Sequence, residues 1–255
     1  MSRKKRIVED LSCIFAVKFN FMKKENSNSK KFKWDWSSFL TNLTAVILGI
    51  AITFMVQKSI DVRAEKKAVN ESLNLIKKEL AVNCEELKNC DEKIKLEQAA
   101  ADFLISHESD YYAAPVDSLY YYCNVPLSIG KMKPTTDALE LSKNSVLLQK
   151  IKDQELALNI IQIYGIIDED IVFFNDYNQQ KNDLWQQVNN DELKALMSKE
   201  GFTAQELWTT MVSTPEGKVF LHEIPRKFYG CRDFNESIQL VEMVMSQIDE
   251  YIAEN

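Results

Sequence analysis

Residues 36–57 read WSSFLTNLTAVILGIAITFMVQ, a run without one charged side chain in a 255-residue chain of which 27% is Asp, Glu, Lys or Arg. At about 1.5 Å of rise per residue such a run forms a helix of roughly 33 Å, matching the roughly 30 Å hydrocarbon core of a bilayer. Phe32, Trp34, Trp36 and Phe39 supply interfacial aromatics on the N-terminal side, with Lys30, Lys31 and Lys33 beyond them and Lys58 at the other end. Two rivals are a buried core helix and a cleaved signal peptide. A core helix is rarely uncharged for this length, and a signal peptide carries a shorter apolar stretch before a small-x-small site, whereas Met55-Val56-Gln57-Lys58 follows here. The expectation is an uncleaved membrane anchor.

Outward from this run, residues 1–35 carry ten Lys or Arg against four Asp or Glu, and everything after residue 57 is acidic on balance. The positive-inside tendency puts the basic tail in the cytoplasm and exports the C-terminal part. Met22 opens a short basic lead, MKKENSNSKKFKWDW, so translation beginning there is one expectation for the tail. The other is an amphipathic segment lying on the membrane through Ile7, Leu11, Ile14, Phe15 and Phe19.

Six glycines and five prolines are few for this length, and apolar spacing follows the helical period almost throughout, which predicts an all-α protein. With no Gly or Pro between Ile50 and Tyr112, the membrane helix is expected to continue through 58–105. Val69, Leu73, Ile76, Leu80, Asn83, Leu87, Cys90, Ile94, Glu97 and Ala101 follow at alternating steps of four and three, a heptad seam. Asn83 and Glu97 make it too polar for a long autonomous coiled coil, so intramolecular packing against later helices is expected. Residues 106–134 form an irregular stretch rich in Tyr and Pro, and 135–255 complete a bundle of about five helices. Asp137 to Glu140 and Thr203 to Glu206 have capping-box spacing, Asp153 is placed to cap a long helix, Thr214-Pro215 opens another, and Gly201 suits a helix end. The last helix is expected after Pro225, with Phe228, Cys231, Phe234, Ile238, Val241, Met245, Ile248 and Ile252 on one face.

The chain resembles an uncharacterised family of bacterial single-pass membrane proteins known only as a domain of unknown function. The likeness rests on Leu48-Gly49-Ile50-Ala51, the Val56-Gln57 exit, Glu79-Leu80, and a later Pro134-Thr135-Thr136-x-Ala138 segment running through Glu140-Leu141, Ser142, Asn144 and Leu147 to Tyr164. Where a small residue often follows the serine, this chain has Lys143. The resemblance implies a membrane-anchored helical domain, which with the charge asymmetry is expected outside the inner membrane of a bacterium; it assigns no activity and no functional residue.

Chemistry is sparse. His107 and His222 do not form a metal-binding pair, Cys84 and Cys90 lack Cys-x-x-Cys spacing, and no phosphate loop or nucleophile elbow occurs, so no metal, cofactor or catalytic residue is expected. Acidic runs such as Asp91-Glu92 and Asp168-Glu169-Asp170 read as solvated helix faces, and the acidic C-terminal part is unsuited to nucleic acid. Cys13 falls on the cytoplasmic side, while Cys84, Cys90, Cys123 and Cys231 are exported; disulfides are permitted there, but small core residues are the simpler reading. Two surfaces stand out. Tyr111, Tyr112, Tyr120, Tyr121 and Tyr122 are a candidate protein-partner surface, the alternative being that they cover the bundle end. Thr41, Ala45, Gly49 and Thr53 make a small-residue ridge suited to a homo-oligomer through the membrane helix. The expected function is a membrane-anchored, non-catalytic interaction, scaffold or sensing module. The alternatives are a membrane-anchored enzyme whose site forms only in three dimensions, between the irregular stretch and the bundle end, and a signal transducer acting through a partner.

Overall fold

The computed structural model describes residues 36–228 and 234–254. The expectations for the basic tail, Met22, Cys13 and Cys231 lie outside the described residues. Eight α-helices and no strand occur among the described residues. They are α1 (Trp36–Ser106), α2 (Val116–Tyr122), α3 (Asp137–Asn144), α4 (Gln154–Val188), α5 (Asp191–Met197), α6 (Ala204–Val212), α7 (Pro215–Phe228) and α8 (Phe234–Glu254), with a 3₁₀ turn at Leu148–Lys150. The chain divides into two compact units, 1–59 and 60–255.

In the first unit the described residues are all helical, and every residue from 36 to 59 is exposed except the half-buried Ala51. The 18-residue apolar window of α1 has none of its residues buried, which is unlike the core helix of a water-soluble bundle. This helix is long and apolar enough to cross a membrane. Its hydroxyls are satisfied locally: Thr41, Thr44 and Thr53 donate to the carbonyls of Ser37, Leu40 and Gly49, each four residues back.

In the second unit all ten residues of the heptad seam are buried, Asn83 and Glu97 included. The apolar ones from Val69 to Ile94 form one core with the inner faces of α4 and α8, while Ala101 belongs to a second. Cross-links fix the directions. Glu79 meets Tyr164 and Glu97 meets Lys181, so α1 and α4 run parallel. Asn159 bonds Gln247 and Phe173 packs on Phe234, so α8 runs antiparallel to α4. A second core gathers the ends of α1 and α4 with α2, α5, α6 and α7 around Trp208 and Phe220.

Parallel neighbours require the chain to travel back along the bundle before α4 begins, and the segment 128–136 does so without secondary structure. Ser128 lies at the level of Glu97 and Ala138 at the level of Glu79. That interval is roughly 27 Å along a helix axis, and about ten residues can cover it only when nearly extended, since as a helix they would span about 15 Å. We call this segment the strap.

Several helix starts follow their sequence signals. Asp153 accepts from Glu155 and Leu156 N–H, Thr203 and Glu206 form a full capping box, and Thr214 Oγ1 accepts from Gly217 N–H. Gly201 takes the left-handed conformation its position suggested, with φ 74°. Other details differ. Thr136, not Asp137, precedes the first turn of α3 and makes no side-chain cap; the Glu79 carboxylate from α1 takes the Ala138 and Leu139 N–H groups instead. The irregular stretch contains the two-turn helix α2, started at Pro115, and together with α5 to α7 it raises the bundle above five helices. Pro225 lies inside α7, so the last helix begins only at Phe234. Asp170 is buried, whereas its neighbours Asp168 and Glu169 are exposed, because position 170 falls on the inward stripe with Ile163, Ile167 and Ile171.

Candidate functional site

The strap is held almost entirely by side chains of α1 and α4. Asn83 donates to Thr135 O at 2.9 Å while its Oδ1 accepts from Thr135 N–H and hydroxyl at 3.0 Å each. Asn175 treats Met132 the same way, accepting from its N–H at 2.9 Å and donating to its carbonyl at 2.8 Å. Asn178 Oδ1 accepts from Gly130 N–H at 2.8 Å. A primary amide carries a donor and an acceptor at the spacing of a peptide group, so Asn83 and Asn175 each pair with the extended backbone as a neighbouring strand would. Cys90 adds an Sγ–Sδ contact to Met132 at 3.4 Å. The Glu79 node closes the series, with the Tyr164 hydroxyl donating to the same carboxylate that caps α3. Burial and Glu79 both push the Tyr164 phenol well above its ordinary range. Thr135 is thus held by Asn83, and Ala138 and Tyr164 are both held by Glu79.

At its other end the strap meets a buried ion pair. Lys181 Nζ lies 2.6 Å from Glu97 Oε1, with the two side chains 2% and 9% exposed, and it also donates to Ser128 O. The Tyr177 ring stands 5.5 Å from the same ammonium. Burial drives the Glu97 carboxyl upward from its ordinary value, opposed by the Lys181 charge and hydrogen bond. The pair forms the floor of a cleft of about 330 Å³ between α1, α4 and the start of the strap. Leu96, Val125, Ile129 and Phe174 give it apolar walls, and Lys93 and Asn124 stand exposed at its edge. Gly130 belongs here for a steric reason: a Cβ on it would come within 3.0 Å of the Phe174 ring.

The five tyrosines do not form one surface. Tyr111 is 2% exposed, packed against Trp208 in the second core, and its burial raises the phenol strongly. It therefore leaves the candidate partner surface, because the turn after α1 directs it inward. Tyr122 is half-buried against Phe103. Tyr112, Tyr120 and Tyr121 remain exposed, at 66%, 58% and 64%, with Val116 beside them in sequence on α2. Thr41, Ala45, Gly49 and Thr53 are all exposed on α1, and a Cβ on Gly49 would meet nothing within 4 Å.

Neither histidine enters the cleft. His107 Nδ1 bonds Phe103 O and Ser106 Oγ, while His222 Nε2 lies 2.7 Å from Glu108, which Lys218 also approaches at 3.4 Å. Asp110 accepts from Tyr112 N–H in the turn after α1. Among the described residues no cluster of three His, Cys, Asp or Glu is placed to hold a metal. Cys84, Cys90 and Cys123 are free and buried, and burial raises all three thiols, that of Cys90 to about 11.

Sequence reasoning missed the Glu97–Lys181 pair and the role of Asn175 and Asn178. A signal was present. The α4 stripe through Ile160, Ile163, Ile167, Ile171 and Phe174 continues at helical spacing into Asn178 and Lys181, polar residues on an apolar face. Comparison with protein families, with curated proteins and with solved structures finds no match to this chain.

Proposed function

We propose that the protein is a single-pass membrane-anchored helical module that works by binding a protein partner rather than by catalysis. In this reading residues 1–35 are cytoplasmic, and the bundle lies on the far side of a bacterial cytoplasmic membrane. The observation that carries the anchor is the uncharged, apolar 36–57 segment with no residue buried by the rest of the protein. An apolar surface of that extent is stable in lipid and costly in water. The excess of Lys and Arg before the segment supports the orientation.

Two features support binding over catalysis. Five of the buried polar side chains, Glu79, Asn83, Glu97, Asn178 and Lys181, are committed to holding the strap or α3 or to each other. Among the described residues of the bundle the most exposed aromatic side chains, Tyr112, Tyr120 and Tyr121, are contributed by the turn after α1 and by α2, where an aromatic anchor can enter a partner's pocket.

The test has two arms. In bacterial cells the chain should resist alkaline extraction from membranes, and a Cys placed at Tyr121 should be labelled by a membrane-impermeant reagent from outside. Release by alkaline wash, or labelling only after lysis, would overturn the anchor or its orientation. A photo-crosslinker at Tyr121 should capture one discrete partner, with capture lost in Tyr112→Ala/Tyr120→Ala. Capture unaffected by these changes would remove the tyrosines from the interface.

A further inference from the structure

The cleft floored by Glu97 and Lys181 has an arrangement that the strap does not use up. Its walls are mainly apolar, through Leu96, Val125, Ile129 and Phe174. Its buried polar groups are already paired: Lys181 with Glu97 and Ser128 O, and Asn178 with Gly130 N–H and Phe174 O. Lys93 differs, since its ammonium is exposed and makes no hydrogen bond or ion pair with the described residues. Counting the lining charges, Lys93 and Lys181 stand against Glu97 alone, so the cleft is net positive. We propose that this cleft binds a small aliphatic monocarboxylate, with the carboxylate on Lys93 and the chain against Leu96, Ile129 and Phe174.

Size and charge select this class. At the roughly 30 Å³ that a water-sized group occupies in a liquid, the cleft of about 330 Å³ takes on the order of ten non-hydrogen atoms. The apolar walls reward a hydrocarbon chain, and the one unpaired cation rewards a single negative charge next to it. A cationic head group would meet Lys93 with like charge, and a dianion would find no second unpaired cation among the cleft residues.

The experiment uses the full chain in nanodiscs, with hexanoate as the probe, saturation-transfer NMR as the readout and empty nanodiscs as the blank. Hexanoate should saturate with a dissociation constant on the order of 1 mM or tighter, the range open to a ligand of about eight non-hydrogen atoms. Hexanol and hexylammonium should bind about tenfold more weakly, the loss of one charge-assisted hydrogen bond. Lys93→Glu should weaken hexanoate by a similar factor, Lys93→Arg should retain it, and Ile129→Trp should remove it by filling the cleft. Both positions are exposed, so the variants should melt with the parent protein. Absence of saturable binding above the blank, equal binding of all three head groups, or binding that survives both Lys93→Glu and Ile129→Trp would overturn the proposal. Crosslinking at Tyr121 is read separately, so the two readings can fail independently.

Discussion

Val146 carries the one positive φ on a non-glycine residue among the described residues, 61°. It follows α3, where Leu147 N–H bonds Ser142 O at 3.1 Å and Val146 N–H bonds Lys143 O at 3.1 Å. These two bonds are a Schellman ending, whose left-handed position glycine usually fills because a β-branched side chain is crowded there. Val146 is 45% exposed and contributes little burial in return. Val146→Gly should therefore stabilise the fold by about 1 kcal/mol, the strain relieved less the extra freedom of glycine in the unfolded chain. Thermal melting of the two proteins side by side checks the sign; a loss of stability would mean that the valine is held by packing. Gly217 presents the opposite case. A Cβ there would lie 1.8 Å from Met211 O, a backbone atom at the end of the preceding helix. Alanine is the better helix former, yet Gly217→Ala should cost about 2 kcal/mol or more, because the α6–α7 junction has to open.

At the scale of elements, the strap explains why the seam of α1 is polar where it is. Asn83 would weaken a coiled coil, and Leu at that position would ordinarily strengthen one. Here Asn83→Leu strips Thr135 N–H, O and hydroxyl of their partner in a half-buried site. It should destabilise the bundle by about 2–4 kcal/mol despite the gain in apolar surface, as read by urea unfolding; a stabilised protein would show that the strap does not depend on this amide. The same residue shows how far the sequence is legible. The heptad period placed Val69 through Ala101 on one buried face, and the caps at Asp153, Thr203 and Thr214 follow local chemistry, so helices and core were readable. The partners of Asn83 and Glu97 were not, because they lie 52 and 84 residues away and one of them is backbone. An extended segment pinned by side-chain amides has no apolar period and no turn signal of its own. The tyrosines divide for a related reason: five neighbours in sequence cannot reveal which of them a following turn directs inward, as happens to Tyr111.

At the scale of the molecule, α1 and α4 contribute to both cores of residues 60–255, the first shared with α8 and the second capped by α5 to α7. A half-buried link joins the turn after α1 to α7: Glu108 lies 2.7 Å from His222 Nε2 and 3.4 Å from Lys218 Nζ. The His222 hydrogen bond, with Lys218 assisting, holds the Glu108 carboxyl below its ordinary value of 4.5. A carboxyl with a depressed pKa in the folded state stabilises that state fully above its unfolded pKa, and the contribution is lost as pH falls through the folded value. The docking of α7 should therefore weaken as the medium is taken from about pH 5 toward about pH 3. Glu108→Gln keeps the size of the side chain but removes the charge. Its melting temperature should lie below the parent's near pH 5, with the gap narrowing as acid is added toward about pH 3. A gap that stays constant down to that pH, or widens as acid is added, would show that the ionised carboxylate is not what fastens α7 to the end of α1.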